Sequence, residues 1–274
     1  MMYDRILVPL DGSPLAEEVI PYALGLARSV GAKLTLRRVA EHESDVTGAE
    51  EYVQPLARRL NAEGKVVPAH MDPASTILGE LEQHPRALAA MTTHGRTGLL
   101  EAILGSVALR VVRDAQRPVL IYRPRGIVGA TELDREVKIT TVIAPLDGSD
   151  FSESMLPHAV EMVKSLGAGL TLVQVLSTEF DEAPEPPPGD VLESSYIHGR
   201  ADDTRREYGV EADWEVLHGH PADAICEYLS GLHDVVLAMS SHARAGLKET
   251  IFGSVTHECV RRAGVPVLVY RPEE

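Results

Sequence analysis

The pentapeptide Pro-Leu-Asp-Gly-Ser occurs twice, at Pro9 to Ser13 and at Pro145 to Ser149, each time closing a short apolar run and opening a helix-like stretch. The copies lie 136 residues apart (11 to 147), and the same offset superposes Gly31-Ala32 on Gly167-Ala168 and Leu34-Thr35-Leu36 on Leu170-Thr171-Leu172. Further along, the offset is 148 (94 to 242): it matches His94 with His242, Gly105-Ser106-Val107 with Gly253-Ser254-Val255, and the Pro-Val-Leu-x-Tyr-Arg-Pro segment from Pro118 with that from Pro266. The second copy therefore carries about twelve more residues, which the reading places in the acidic, proline-rich stretch 179–190, a composition suited to a solvated loop. Repeats this long exceed solenoid units, so each copy is expected to be a domain with its own core. The bounds read from the sequence are 1–126 for the first domain, 127–138 for a linker and 139–274 for the second domain.

A length of 274 residues and a 44% hydrophobic content fit two globular cores. No apolar run approaches the roughly 20 residues of a membrane helix, and Met1-Met2-Tyr3-Asp4-Arg5 leads straight into a strand, so the expectation is a cytoplasmic protein without a membrane partner. The two cysteines, Cys226 and Cys259, both fall in the second copy and read as free thiols, since no disulfide framework repeats with the domain. A formal charge of −15, with arginines clustered only as the pairs Arg58-Arg59, Arg205-Arg206 and Arg261-Arg262, argues against nucleic acid as a partner.

Within the first copy, residues 5–10 read as a buried strand, and Ser13-Pro14 supplies a helix N-cap followed by proline at the first helical position. One helix is expected from there to Val30, because Leu15, Val19, Tyr22, Leu26 and Val30 recur every three to four residues and Gly31 sits where a C-terminal cap belongs. Strands follow at 33–39, 65–69, 88–92 and 118–122, with helices at 49–62, ended by Gly64, at 73–82 and from 105 to 113. The second copy reads alike, with strands at 141–146, 169–175, 212–217, 234–239 and 266–270. Strands separated by helices need crossover connections, so each copy is expected to be a doubly wound α/β domain with a parallel sheet. Such sheets bind ligands beyond the carboxyl ends of their strands where strand order reverses, here between strands one and four. The matching last strands, 118–122 and 266–270, lead to the expectation that the domains pair as an intramolecular pseudo-dimer.

Thr92-Thr93-His94-Gly95-Arg96-Thr97-Gly98 leaves strand four, and nine residues separate Gly95 from Gly105-Ser106, where a helix starts. Glycines let successive N–H groups turn toward an anion, and a helix start adds about half a unit of positive charge. The Ser106 hydroxyl can cap that helix or bond a phosphate oxygen.

At this point the chain resembles the universal stress protein family, whose nucleotide-binding members carry Gly-x-x-Gly, nine residues and Gly-Ser or Gly-Thr after strand four, with an Asp ending strand one. The resemblance covers nearly the whole chain twice, as in tandem members with adenine nucleotide alpha hydrolase-like domains. Gly95, the spacer, Gly105 and Ser106 match; Thr92 stands at the first glycine position, and in the second copy Ser240 and Ala243 occupy the two glycine positions. The resemblance implies that Asp11, with Pro9 and Leu10 before it, contacts adenosine, that Val39 borders the adenine, and that Met91, Thr92, Gly95, Arg96, Gly105, Ser106 and Val107 complete the site toward the phosphates. In the second copy Asp147, Val175, Gly253, Ser254 and Val255 are the equivalents. Ala243 adds a methyl group where close phosphate approach is wanted, so that site is expected to bind more weakly.

Neither a Gly-x-x-x-x-Gly-Lys-Ser/Thr loop nor a Gly-x-Gly-x-x-Gly fingerprint is present, and His218-Gly219-His220 lacks a third metal ligand in register. No catalytic or metal residues are assigned. The expected function is a nucleotide-dependent stress-response regulator holding ATP or a related adenine nucleotide, with or without Mg2+, chiefly in the first domain; a homo-oligomer is compatible with this. The alternatives are a nucleotide-free interaction scaffold and a slow ATPase. The charge balance predicts that purified protein shows no micromolar affinity for duplex DNA at physiological salt in a fluorescence anisotropy titration.

Overall fold

The computed structural model describes residues 3–40, 42–68, 72–93, 104–124, 133–176, 190–241 and 252–272. The chain divides into two compact units, Met1–Ile139 and Thr140–Pro272. The first contains β1 (Arg5–Leu10), α1 (Pro14–Glu17), α2 (Ile20–Val30), β2 (Lys33–Ala40), α3 (Val46–Leu60), β3 (Glu63–Pro68), α4 (Pro73–Gln83), β4 (Ala87–Thr92), α5 (Ser106–Asp114) and β5 (Val119–Tyr122). In the second these are β6 (Thr141–Pro145), α6 (Asp150–Glu153), α7 (Leu156–Leu166), β7 (Gly169–Leu176), α8 (Asp190–Tyr208), β8 (Asp213–His218), α9 (Pro221–Tyr228), β9 (Val235–Ser240), α10 (Ser254–Arg262) and β10 (Val267–Tyr270).

Each unit carries a parallel sheet, in the order β3-β2-β1-β4-β5 and β8-β7-β6-β9-β10. The chain winds one way from β1 to β3 and the other way from β4 to β5. Right-handed crossovers then put α2 and α3 on one face and α4 and α5, which pack on each other, on the opposite face. The expected doubly wound α/β fold is thus present in both copies. Burial follows position: β4 and β9 are buried throughout, whereas β3 and β8, with one strand neighbour each in their units, are largely accessible.

Several expected boundaries differ, each for a local reason. The single helix expected from Ser13 to Val30 is two helices, α1 and α2, broken at Glu18-Val19. Pro21 lies at the start of the second and has no N–H with which to continue the first. α3 ends at Leu60, two residues earlier than expected, with Asn61 as its cap in the left-handed conformation (φ 53°), and Gly64 lies inside β3. A side chain at Gly64 would press on Val53 and Ala57 of α3, so that glycine serves helix–strand contact and not helix termination. The stretch 177–189, which contains most of the expected insertion, lies outside the described residues. α8 begins at Asp190, the last position of the stretch read as a loop, and is 19 residues long against 15 for α3.

The segment before residue 140 packs on its own unit. Val137 N–H donates to the Pro21 carbonyl of α2 (3.0 Å), Arg28 pairs with Glu136 (2.8 Å), and Arg59 pairs with Asp134 (2.7 Å). A Cβ at Gly25 would fall on the Val137 carbonyl. Alanine normally strengthens a helix interior by up to about 1 kcal/mol over glycine. Gly79→Ala, in α4 with open space beside it, should therefore be neutral or stabilising in urea unfolding. Gly25→Ala should instead cost about 1–3 kcal/mol through overpacking; unchanged stability would show that residues 133–139 do not rest on α2.

Candidate functional site

The site begins where strand pairing stops. β1 pairs with β2 along its full length, Arg5 to Leu10, but with β4 only over Arg5–Leu7. Likewise β6 pairs with β7 through Pro145 but with β9 only over Thr141–Ile143. In a parallel strand, successive residues present their backbone polar groups to alternate neighbours. The Leu146 N–H donates to the Val173 carbonyl of β7 (2.8 Å), so residue 145 faces β9, and as a proline it has no hydrogen to give. Pro9 occupies the same place in β1. Each proline ends one ladder, and a crevice opens between the strand ends.

Beyond the proline the chain turns sharply into a helix. The Asp11 carboxylate accepts from the Ser13 N–H (2.9 Å) and hydroxyl (2.6 Å), Gly12 takes φ +84°, and Ser13 caps α1 by accepting from the Ala16 N–H. Asp147, Gly148 (φ +82°) and Ser149 repeat the turn, with Ser149 N–H and hydroxyl donating at 3.0 and 2.5 Å. Burial pushes the Asp147 carboxyl up, but the hydrogen bonds from Ser149 and Ser152 outweigh it and hold the group below the usual aspartate value.

The other wall is the exit of β4 and the start of α5. Thr93 donates its N–H to Tyr122 (2.9 Å), and its carbonyl accepts from the Gly105 N–H (2.6 Å), which closes the base of the loop between them. A Cβ at Gly105 would lie 3.4 Å from that carbonyl, an ordinary contact, and the residue's φ of −64° does not require glycine. Gly105 is the N-cap of α5, and no side chain among the described residues caps that helix, in contrast to Ser13 at α1 and Asp72 at α4. Ser106 is thus the first helical residue and not the cap. The first N–H groups of α5 face the crevice with the partial positive charge of a helix start.

These elements enclose a cavity of about 240 Å3. Pro9, Leu10, Asp11, Val39, Met91, Thr92, Gly105, Ser106 and Val107 all line it, so nine of the positions singled out in the first copy meet in one place. Gly95 and Arg96, with His94, lie outside the described residues. In the second unit Asp147, Val175, Gly253, Ser254 and Val255 line a cavity of about 290 Å3; His242 and Ala243 lie outside the described residues.

Sequence reasoning missed a charged wall. Arg37 and Arg38 both line the first cavity. Arg37, on the strand face toward α4, forms a buried ion pair with Glu80. Arg38, on the alternate face, donates to the Val39 carbonyl (3.0 Å). The signal was available: two adjacent arginines interrupt an apolar strand, and Glu80 falls between Ile77 and Leu81 on the buried side of α4. At the equivalent places the second copy has Val173, Gln174 and Tyr228, and the described residues lining its cavity include no cation.

The universal stress protein family model matches residues 2–123 and again 138–271, nearly the whole chain. The chain belongs to the universal stress protein family. A universal stress protein of Synechocystis is 21% identical over 308 residues, spanning 97% of this chain and 99% of that one. A stress response protein of Bacillus subtilis is 24% identical over 160 residues, spanning 47% of this chain and 96% of its own. The crystal structure of a universal stress protein from Archaeoglobus fulgidus superposes over 100% of both chains, with a TM-score of 0.69 and 22% identity, and so shares the fold. This tandem universal stress protein thus presents two crevices of one geometry, with a charged wall in the first.

Removing one member of a buried ion pair strands the other, at a cost of about 3–5 kcal/mol, whereas replacing both with apolar groups of similar volume is far less damaging. Glu80→Ala should therefore destabilise the first unit by about 3 kcal/mol in urea unfolding, and Arg37→Met with Glu80→Leu should recover most of the loss. Equal costs for the two variants would show that the pair is solvated and not part of the cavity wall.

Proposed function

We propose that this universal stress protein binds an adenine nucleotide, ATP or a close relative, chiefly in the first cavity, and acts as a nucleotide-dependent regulator in the stress response. The observation that carries the reading is the start of α5, which no side chain among the described residues caps and which lines the same crevice as Asp11 and the end of β2. Open helix N–H groups suit phosphate, the Asp11 carboxylate suits ribose hydroxyls, and the apolar surface of Val39, Ile77 and Met91 suits a purine ring. Mg2+ entering with ATP would be held mainly by the phosphates, with Asp11 the acidic side chain among the described lining residues.

Two differences favour the first site. Arg38 adds positive charge to the cavity lining where the second copy has Gln174. Gly95, read from the sequence, leaves room for phosphate where the second copy has Ala243 and a penalty of roughly 1 kcal/mol for a left-handed turn. Together they support an affinity difference of about tenfold or more, equivalent to 1.4 kcal/mol.

The experiment is mass spectrometry of small molecules released on denaturing the purified chain, followed by calorimetric titration of stripped protein with ATP. The expected result is an adenine nucleotide in the released fraction and one tight binding event per chain, with a second at least tenfold weaker. Arg38→Gln should weaken the tight event alone. Absence of nucleotide together with no heat of binding at millimolar ATP would leave the scaffold reading, and two equal sites would refute the asymmetry.

A further inference from the structure

The second unit holds both cysteines, and they meet. α9 and α10 pack on each other along one seam. At one rung Arg262 of α10 donates to Asp223 of α9 (2.5 Å). Three residues onward in α9 is Cys226, three residues back in α10 is Cys259, and their thiols are hydrogen-bonded to each other. Residues three apart share a helix face, so the ion pair and the thiol pair lie on the same seam between the two helices. Cys259 is fully buried and Cys226 is partly exposed. At the positions 148 residues earlier the first copy has Leu78 and Val111, so the shared fold needs no thiol at either place.

The same helices build the second cavity. Pro221 and Ile225 of α9 and Ser254, Val255 and Thr256 of α10 line it, so Cys226 directly follows one lining residue and Cys259 lies one turn beyond another.

We propose that Cys226 and Cys259 are a modification site, a dithiol that a peroxide oxidises to an interhelical disulfide joining α9 to α10 and fixing one wall of the second cavity. Cys226 is the thiol a peroxide meets first, because it is the accessible one. The hydrogen bond from Cys259 and the nearby Arg262 guanidinium hold it below the usual thiol value, while that same hydrogen bond and burial push Cys259 up. The Cys226 thiolate attacks a peroxide oxygen, the O–O bond breaks, and the departing oxygen leaves as water or an alcohol after taking a proton. The Cys226 sulfenic acid that forms is attacked by the Cys259 sulfur; the S–S bond forms, the S–O bond breaks, and hydroxide leaves as water with the Cys259 proton. The two thiols lose two electrons, the peroxide gains them, and a dithiol reductant reverses the change. None of this depends on what the cavity binds.

The test uses the full-length reduced chain, hydrogen peroxide in small excess, thiol titration and non-reducing peptide mapping. The expected result is loss of both thiols, a cross-linked peptide pair containing Cys226 and Cys259 within one chain, and an apparent Tm raised by several degrees that returns with dithiothreitol. Cys259→Val, which installs the first copy's residue, should halt oxidation at a Cys226 sulfenic acid trapped by dimedone. Cys226→Ser should leave Cys259 unreacted at the same dose. Persistence of both thiols at a peroxide dose that oxidises an added free thiol, a disulfide between chains only, or a wild-type Cys226 carried on to sulfinic acid with Cys259 untouched would overturn the proposal.

Discussion

The missing hydrogen on the Pro9 and Pro145 nitrogens is the constraint from which the site follows. A central strand of a parallel sheet is bonded on both sides, and proline is ordinarily excluded from it. Here the proline stands on the side that faces the fourth strand of its unit, two residues after that pairing ends, while the other side stays bonded to the end. The sheet is therefore continuous below the proline and split above it. The Asp-Gly-Ser that follows turns the chain away on one bank, and the helix after the fourth strand starts on the other. A ligand crevice is a by-product of where one donor is absent.

The two copies share this backbone and differ in what they line it with. Both keep the Asp–Ser turn and the Gly-Ser helix start, which set geometry. Both also tie the third helix to the first through a Tyr–Glu hydrogen bond, Tyr52 to Glu17 (2.7 Å) and Tyr196 to Glu153 (2.8 Å). In each, burial first and the neighbouring carboxylate second push the tyrosine hydroxyl up, so both remain donors throughout the neutral range. The walls diverge: a buried Arg37–Glu80 pair and Arg38 in one copy, valine and glutamine with a nearby thiol pair in the other. Duplication preserved the means of making a crevice while the chemistry offered by each crevice separated.

The fold was legible because its signals are local and repeated. Alternating strands and helices fix a parallel sheet, and the recurrence of Pro-Leu-Asp-Gly-Ser assigns the same role to both copies. The lining residues taken from β1, β4 and α5 lie at chain turns, where glycine, proline and capping residues mark position. Arg37 and Glu80 stand out locally as charges in an apolar strand and on a buried helix face, but the role they share with Ile77 was not read because it depends on a contact between β2 and α4 across 43 residues. The break between α1 and α2 was missed for the opposite reason: the helical periodicity runs through it, and only the backbone chemistry of Pro21 interrupts it. The Cys226–Cys259 contact likewise joins two helices whose register is set by the fold and not by spacing in the chain.

The central claim is that a crevice opened by proline and faced by helix amides becomes the tighter nucleotide site in the unit whose described lining carries cationic side chains. Photolabelling of the full-length chain with 8-azido-ATP at limiting concentration, followed by peptide mapping, tests it directly. The account predicts that label protected by excess ATP is concentrated on first-unit peptides containing Val39, Ile77 or Met91, with little on those containing Val175 or Met239. Equal labelling of both units, or label that excess ATP does not displace, would contradict it.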